Sequence, residues 1–300
     1  MGAAGPLNTV IIGAAGRMGR ALIRAVSEIP GELRVCGAVA STTSASLGKD
    51  AGELAGIGRL DVPVTDDLAA ALARAEIVLD FSQPHTTHSN LMVCRAARKP
   101  LLIGTTGYPA DLTSVFDEAA KEIPLLVAPN TSIGVTLLLE LTRMAAKALP
   151  ADFDVEIVEA HHRMKKDAPS GTALALGKAA AEARSDASGA RAAGGTTSAH
   201  ASAKDTASAA MAAAGPATIS TDRSGERRSG DIGYAVIRGG DIVGDHTVLF
   251  AGTGEQITLG HRATDRAIFA RGAVRAALWL AAQPAGRYIM RDFLGLKTST

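Results

Sequence analysis

The chain has 300 residues, 47% of them hydrophobic, so it is long and apolar enough to bury the cores of two domains. Its 31 Lys and Arg residues nearly balance its 30 Asp and Glu residues, which excludes the global basic field that nucleic acids and membrane surfaces attract. No apolar run has the length of a membrane span, and the first residues lack the basic start and apolar stretch of a signal peptide. We therefore expect a cytoplasmic protein with neither a nucleic-acid nor a membrane partner.

The first predicted elements are a strand, a glycine turn and a helix. Residues Asn8 to Ile12 are rich in β-branched side chains, and the run GAAGRMG follows from Gly13 to Gly19. Gly13 permits a tight turn, Gly16 lets a pyrophosphate approach the backbone, and Gly19 lets the helix pack closely on the strand. The N–H groups at the start of the helix would bind the phosphates. This pattern predicts a dinucleotide site formed by Gly13, Ala14, Ala15, Gly16, Arg17 and Met18.

Further strands alternate with helical stretches up to Pro129, which predicts an α/β, Rossmann-like parallel sheet. Ligands of such sheets bind at the carboxyl ends of the strands. Ser41 and Thr42 follow the second strand, where an acidic residue would bind the ribose of NADH. Hydroxyl groups can instead donate hydrogen bonds to a 2′-phosphate, and Arg17 can add charge, so the residues favour NADPH modestly over NADH.

The second half carries the chemistry. Residues 153–162 alternate apolar and acidic side chains and predict a strand with one buried face, and residues 172–183 have a strong helical pattern. Between them lies HHRMKKDAPSGT, from His161 to Thr172, which places histidines and cations before a helix N-terminus. Such a segment can bind an anion and supply a proton to it. No third ligand with metal spacing accompanies the histidines, so we expect no metal.

The segment EIVEAHHRMKKDAPSGTA, from Glu156 to Ala173, matches E-x-x-E-x-H-x-x-x-K-x-D-x-P-S-G-T-A at every specified position. With this signature the chain resembles the 4-hydroxy-tetrahydrodipicolinate reductases, also called dihydrodipicolinate reductases. The resemblance extends to the glycine turn, to DAGELAG from Asp50, and to GDIVGDHTVLFAGTGEQI from Gly240 to Ile257. It implies NAD(P)H-dependent reduction of the dehydrated cyclic imine of 4-hydroxy-tetrahydrodipicolinate to tetrahydrodipicolinate, in diaminopimelate and lysine biosynthesis.

The resemblance also implies the roles of individual residues. His161 would be the proton donor and Lys165 its partner, while His162, Gly171 and Thr172 would bind a small dicarboxylate substrate. Besides the glycine turn and Ser41 and Thr42, the cofactor residues would be Phe81, Gly104, Thr105, Thr106, Ala128, Pro129, Asn130 and Thr131. The implied organisation is a dinucleotide-binding domain, residues 1–132 and 267–300, and a substrate-binding and tetramerisation domain, residues 133–266. The second domain would be α+β with an open mixed sheet, and the protein would be a homotetramer.

Two departures from the family pattern stand out. Met164 lies where the family often has a histidine. Residues 182–218 are rich in Ala, Ser and Gly and resemble an expanded loop, so we expect a flexible insert, although the alanines could also extend the preceding helix. The alternative function is a non-catalytic nicotinamide-sensing protein on the same fold, which would be expected to lose His161 or Lys165 first.

Overall fold

The computed structural model describes residues 5–193, 219–220, 225–228 and 230–296. Its strands are β1 Leu7–Ile12, β2 Leu33–Val39, β3 Val64–Thr65, β4 Ile77–Asp80, β5 Leu101–Ile103, β6 Pro124–Val127, β7 Asp154–His161, β8 Ile219–Ser220, β9 Ile232–Arg238, β10 Gly244–Gly252, β11 Glu255–Ala263 and β12 Gly286–Tyr288. Its α-helices are α1 Arg17–Ser27, α2 Ala51–Ala55, α3 Leu68–Ala71, α4 Thr87–Ala96, α5 Leu112–Ala120, α6 Ile133–Ala148, α7 Gly171–Ala193, α8 Ala267–Leu280 and α9 Met290–Phe293. Short 3₁₀ turns cover Leu72–Arg74 and Pro84–Thr86.

The described residues form two compact units. The first runs to Thr136 and resumes at Arg266, and the second runs from Leu137 to Asp265. Among the described residues, no helix combines the length and the apolar character that crossing a membrane requires.

The first unit is built on a seven-stranded sheet in the order β12-β6-β5-β4-β1-β2-β3, with every neighbouring pair parallel. Its central strands are mostly apolar because helices cover both faces of a parallel sheet. Successive residues therefore enter opposite cores: Ile11 and Leu79 pack on one side, and Val10 and Val78 on the other. This architecture confirms the predicted Rossmann-like α/β fold.

The second unit is built on a mixed sheet in the order β11-β10-β7-β9-β8. Strand β10 is antiparallel to β7 and β11, whereas β9 is parallel to β7 and β8. Apolar side chains of one sheet face, including Val155, Ile157 and Val248, pack with Leu138 of α6 and Leu176 of α7 into one core. The expected mixed sheet of the second domain is confirmed.

One expectation needs correction. Residues 182–193 were expected to begin a flexible insert, but they continue helix α7 to Ala193. The physical reason is that alanine has the highest intrinsic helix propensity, so an Ala-rich extension of a packed helix stays helical although it has few large apolar side chains. Residues 194–218 of the predicted insert lie outside the described residues.

Candidate active site

The glycine turn of the first unit lies at the carboxyl end of β1. Gly13 has a φ of 82° and accepts a hydrogen bond from the Gly16 N–H at 2.9 Å. A Cβ atom on Gly19 would overlap the Gly13 carbonyl oxygen, so only glycine allows α1 to approach the turn this closely. No side chain caps the start of α1, and its first turn contains no acidic residue.

The other predicted cofactor residues follow strands that are neighbours in the same sheet. Ser41 and Thr42 follow β2 and are exposed, Phe81 follows β4, residues 104–106 follow β5, and residues 128–131 follow β6. Because parallel strands end at one edge of the sheet, the first unit brings these residues together with the glycine turn. The Thr131 hydroxyl donates to the Phe269 carbonyl oxygen at 2.7 Å, so it also fixes the loop after β6 against α8.

A buried carboxylate that the sequence did not single out supports this edge. Asp80, the last residue of β4, is fully buried, and it accepts hydrogen bonds from the Ser82 N–H at 2.9 Å and the Asn90 amide at 3.0 Å. Burial raises the pKa of Asp80 above its usual value, and these hydrogen bonds oppose the rise. Its backbone carbonyl also accepts the Gly104 N–H at 2.9 Å. Asp80 thus links the loops after β4 and β5.

The first unit fits a dinucleotide. Gly13 and Gly19 have no room for side chains, and the uncapped N–H groups of α1 point out of the turn with the positive end of the helix dipole. Arg17 is exposed at the start of this helix, and no carboxylate stands at Ser41 or Thr42. A diphosphate needs hydrogen-bond donors and positive potential, and both are present.

In the second unit, β7 carries two side chains that form the centre of the candidate site. Glu159 and His161 are two positions apart in the strand, so they project from the same face. The Nδ1 atom of His161 lies 2.6 Å from the Oε2 atom of Glu159, and both side chains are buried. A Cβ atom on Gly244 of the neighbouring strand β10 would stand 3.0 Å from His161 Nε2, so the absence of a side chain there leaves room around that nitrogen.

The Glu159 carboxylate has hydrogen-bond donors on both oxygens. Arg238 of β9 donates to Oε2 at 2.7 Å and to Oε1 at 2.8 Å, and the Ser170 N–H donates to Oε1 at 2.9 Å. Burial alone would raise the pKa of Glu159, but the hydrogen bonds from Arg238, His161 and Ser170 outweigh it and hold the pKa below its usual value. Glu159 is therefore ionised at neutral pH.

Lys165 lies in the loop between β7 and α7 and binds a different carboxylate. Its Nζ atom donates to the two carboxylate oxygens of Asp167 at 2.8 and 2.7 Å, and this contact lowers the pKa of Asp167. Within the described part of the chain, no hydrogen bond joins Lys165 to the His161 side chain. The loop is held to β9 by Arg238, whose Nη2 atom donates to the Asp167 carbonyl oxygen at 2.6 Å.

The start of helix α7 completes the candidate site. Ser170 precedes Gly171 and Thr172, the first two residues of α7, and its hydroxyl accepts the Ala173 N–H at 3.2 Å. The same hydroxyl lies 2.9 Å from Nε2 of the buried His246. Burial, and next the neighbouring His161, lower the pKa of His246 to about 4, so this histidine is neutral at neutral pH. The site therefore ends at a helix N-terminus that can receive a carboxylate.

The sequence predicted site roles for His161, Lys165, Gly171 and Thr172. It did not assign site roles to four residues that contact these or their neighbours: Glu159, Ser170, Arg238 and His246. Glu159 and Ser170 occupy specified positions of the signature, which was a usable signal. Arg238 and His246 come from β9 and β10, and their pairing with β7 cannot be read from local sequence.

Family models match both halves of the chain. The model described as "Dihydrodipicolinate reductase, N-terminus" matches residues 7–131, and the one described as "Dihydrodipicolinate reductase, C-terminus" matches residues 134–294. The chain belongs to the dihydrodipicolinate reductase family. The match to this family covers both structural units and the whole segment from Glu159 to Thr172.

Named relatives agree with this assignment. The chain is 48% identical over 298 residues, 99% of its length and 100% of the relative's, to "4-hydroxy-tetrahydrodipicolinate reductase 1" of Mesorhizobium japonicum. It is 49% identical over 286 residues to the 4-hydroxy-tetrahydrodipicolinate reductase of Alkalilimnicola ehrlichii, which covers 95% of this chain and 98% of the other. Among solved structures, a dipicolinate-bound dihydrodipicolinate reductase from Paenisporosarcina sp. TG-14 has the same fold, with a TM-score of 0.71, 23% identity, and coverage of 96% of this chain and 98% of the other.

Proposed function

We propose that this member of the dihydrodipicolinate reductase family reduces 4-hydroxy-tetrahydrodipicolinate, through its dehydrated cyclic imine, to tetrahydrodipicolinate. The reaction would belong to diaminopimelate and lysine biosynthesis, as the names of the relatives suggest. The observation that carries the proposal is the segment from His161 to Thr172, in which a buried histidine, a lysine and a helix N-terminus follow one another. A small dicarboxylate that must be protonated needs these three groups.

His161, with Lys165 as its partner, would supply the proton, because an imidazole ring can donate a proton and this ring is held by a hydrogen bond to the Glu159 carboxylate. Gly171 and Thr172 would bind one carboxylate of the substrate, since the N–H groups and the dipole at the start of α7 favour an anion. His162 is half-buried and would contact the substrate.

The first unit would hold a nicotinamide dinucleotide at the glycine turn and at the loops after β2, β4, β5 and β6. When bound, this cofactor supplies the hydride that the reduction requires. We propose a modest preference for NADPH, because Ser41 and Thr42 are exposed hydroxyl donors where NAD-binding proteins place a carboxylate. Exposed Arg17 would add positive charge near a 2′-phosphate.

We also propose that the protein is a homotetramer assembled through the sheet of the second unit. Support comes from Ile237 of β9, whose side chain is 51% exposed on this sheet although it is large and apolar. Light scattering coupled to size-exclusion chromatography measures the assembly directly, and a monomer at micromolar concentration would contradict the proposal.

The decisive experiment follows nicotinamide oxidation with freshly made substrate, using NADPH and NADH in turn. The double variant His161→Gln, Lys165→Met should lose about a thousandfold in kcat because general-acid catalysis supplies two to four orders of magnitude. It should still bind the cofactor, which the first unit would hold. Lys166→Met is the matched control, since this neighbouring lysine is exposed and its loss should leave turnover near that of the wild type.

Near-normal turnover in the double variant would show that the proton comes from another group. A wild-type protein that binds NAD(P)H but turns over neither substrate nor close analogues would favour the non-catalytic nicotinamide-sensing alternative.

A further inference from the structure

The buried carboxylate of Glu159 has no role in the function proposed above. Its residue is only 1% exposed, and the positions before it on the same strand face are the apolar Val155 and Ile157. Burying a charge is costly unless it is paired and hydrogen-bonded. An ionised glutamate at this position therefore needs the hydrogen-bond donors that surround it, and the identity of those donors indicates the role of Glu159.

An ionised carboxylate has only acceptor atoms, so each group within hydrogen-bond distance of it must donate. The Nδ1 atom of His161 lies 2.6 Å from Glu159 Oε2 and must therefore carry a proton. The second ring nitrogen, Nε2, is left for the reaction, and it lies beside Gly244, where no side chain obstructs it. Glu159 thereby sets both the tautomer and the orientation of the ring.

Arg238 connects this pair to the loop of Lys165. Its guanidinium binds both oxygens of Glu159, at 2.7 and 2.8 Å, and its Nη2 atom also binds the Asp167 carbonyl oxygen. Asp167 in turn binds the Lys165 ammonium through its carboxylate. His161 and Lys165 do not contact each other through a hydrogen bond within the described residues, but a continuous chain of contacts runs between them through Glu159, Arg238 and Asp167.

We propose that Glu159 is the positioning residue of His161, and that Arg238 ties the Glu159–His161 pair to the loop that carries Lys165. The inference rests on the proposed function, because it assumes that His161 and Lys165 act on the substrate. The titratable and charged groups around the pair are Arg238 from β9, His246 from β10, and Lys165 and Asp167 from the loop. His246 is neutral near pH 7, and the Glu159 carboxylate lies in direct contact with the His161 ring at 2.6 Å.

The test is Glu159→Gln, compared with Glu156→Gln as the matched control. Glu156 lies on the same strand but on the opposite face, and it too pairs with an arginine, Arg227, at 3.0 Å. Glu159→Gln should lower kcat about a hundredfold, as expected when a general acid is no longer held in its reactive form.

Nitrogen NMR of the His161 ring gives a second readout that does not depend on turnover. In the neutral wild-type ring the proton should lie on Nδ1, whereas Glu159→Gln should populate both tautomers. Glu156→Gln should keep the wild-type tautomer and the wild-type kcat. Arg238→Lys keeps a positive charge beside Glu159 but loses the two hydrogen bonds of the guanidinium, so kcat/KM should fall about tenfold.

A folded Glu159→Gln protein with the wild-type tautomer would overturn the inference, whatever its kcat. If Glu159→Gln does not fold, an Arg238→Lys variant with unchanged kcat/KM would overturn the coupling to the loop. If the wild-type protein does not turn over the proposed substrate, the proposed function fails, and the tautomer measurement still decides whether Glu159 positions His161.

Discussion

Gly244→Ala perturbs His161 without altering any hydrogen-bonding group. The added methyl group would stand 3.0 Å from His161 Nε2 and 3.8 Å from His246 Cε1. The second distance is an ordinary van der Waals contact, whereas the first is several tenths of an ångström too short. Gly244 does not have a positive φ, so alanine introduces no backbone strain there.

The His161 ring must move to relieve the contact, but its Nδ1 atom is held 2.6 Å from Glu159. The ring will therefore tilt about Nδ1 and displace Nε2 by a few tenths of an ångström. A misplacement of about 1 Å can cost a hundredfold in rate, so we expect roughly a tenfold loss of kcat. That loss corresponds to about 1.4 kcal/mol in the activation free energy. Overpacking should lower the free energy of unfolding by only about 1 kcal/mol.

The assay is steady-state nicotinamide oxidation at saturating cofactor, with the unfolding free energy measured in urea on the same preparations. Gly260→Ala is the matched control on the adjacent strand β11, where the new methyl group would meet Thr247 Oγ1 at 3.8 Å and nothing closer. It should leave kcat unchanged. Wild-type kcat in Gly244→Ala, or an equal loss in Gly260→Ala, would refute the assignment of Nε2 as the reactive nitrogen.

Two further predictions concern the cofactor cradle and acid stability. Gly19→Ala should raise the Kd for NAD(P)H at least about tenfold, because its methyl group would overlap the Gly13 carbonyl oxygen and push α1 away from the turn. Gly31→Ala is the control, since there is open space around Gly31, and it should leave the Kd unchanged. A fluorescence titration measures the Kd of both variants. The pKa of His246 is about 4 in the folded protein, below its ordinary value of about 6.5. Between these two pH values the unfolded chain binds a proton at this residue more readily than the folded protein does, so the free energy of unfolding decreases as the pH falls from about 6.5 to about 4. Urea unfolding at about pH 7 and about pH 4 should show about 3 kcal/mol more acid sensitivity in the wild type than in His246→Gln, and equal sensitivities would contradict this origin.

The parallel sheet could be predicted from the sequence because its signals are local. Each central strand is a short, mostly apolar run, each is followed by a turn, and the glycine turn after β1 fits one backbone geometry. Strands β3 and β12 were not predicted, since each has only two or three residues and gains its pairing from a neighbour distant in sequence. Residues 182–193 were expected to be flexible because of their composition, but they are helical. The high helix propensity of alanine extends the packed helix α7 through them.

The amino-acid sequence by itself determined the family, the glycine cradle and the order of groups from His161 to Thr172, because these features lie within short segments whose spacing is constrained by chemistry. Only the tertiary structure decided what surrounds His161. Glu159 is two residues away, but Arg238 is 77 positions further along the chain and His246 further still, and strand pairing alone brings them to β7. A buried charge is stable only with hydrogen-bonding partners on several sides. Such partners come from neighbouring strands, and the local sequence does not show which strands pair.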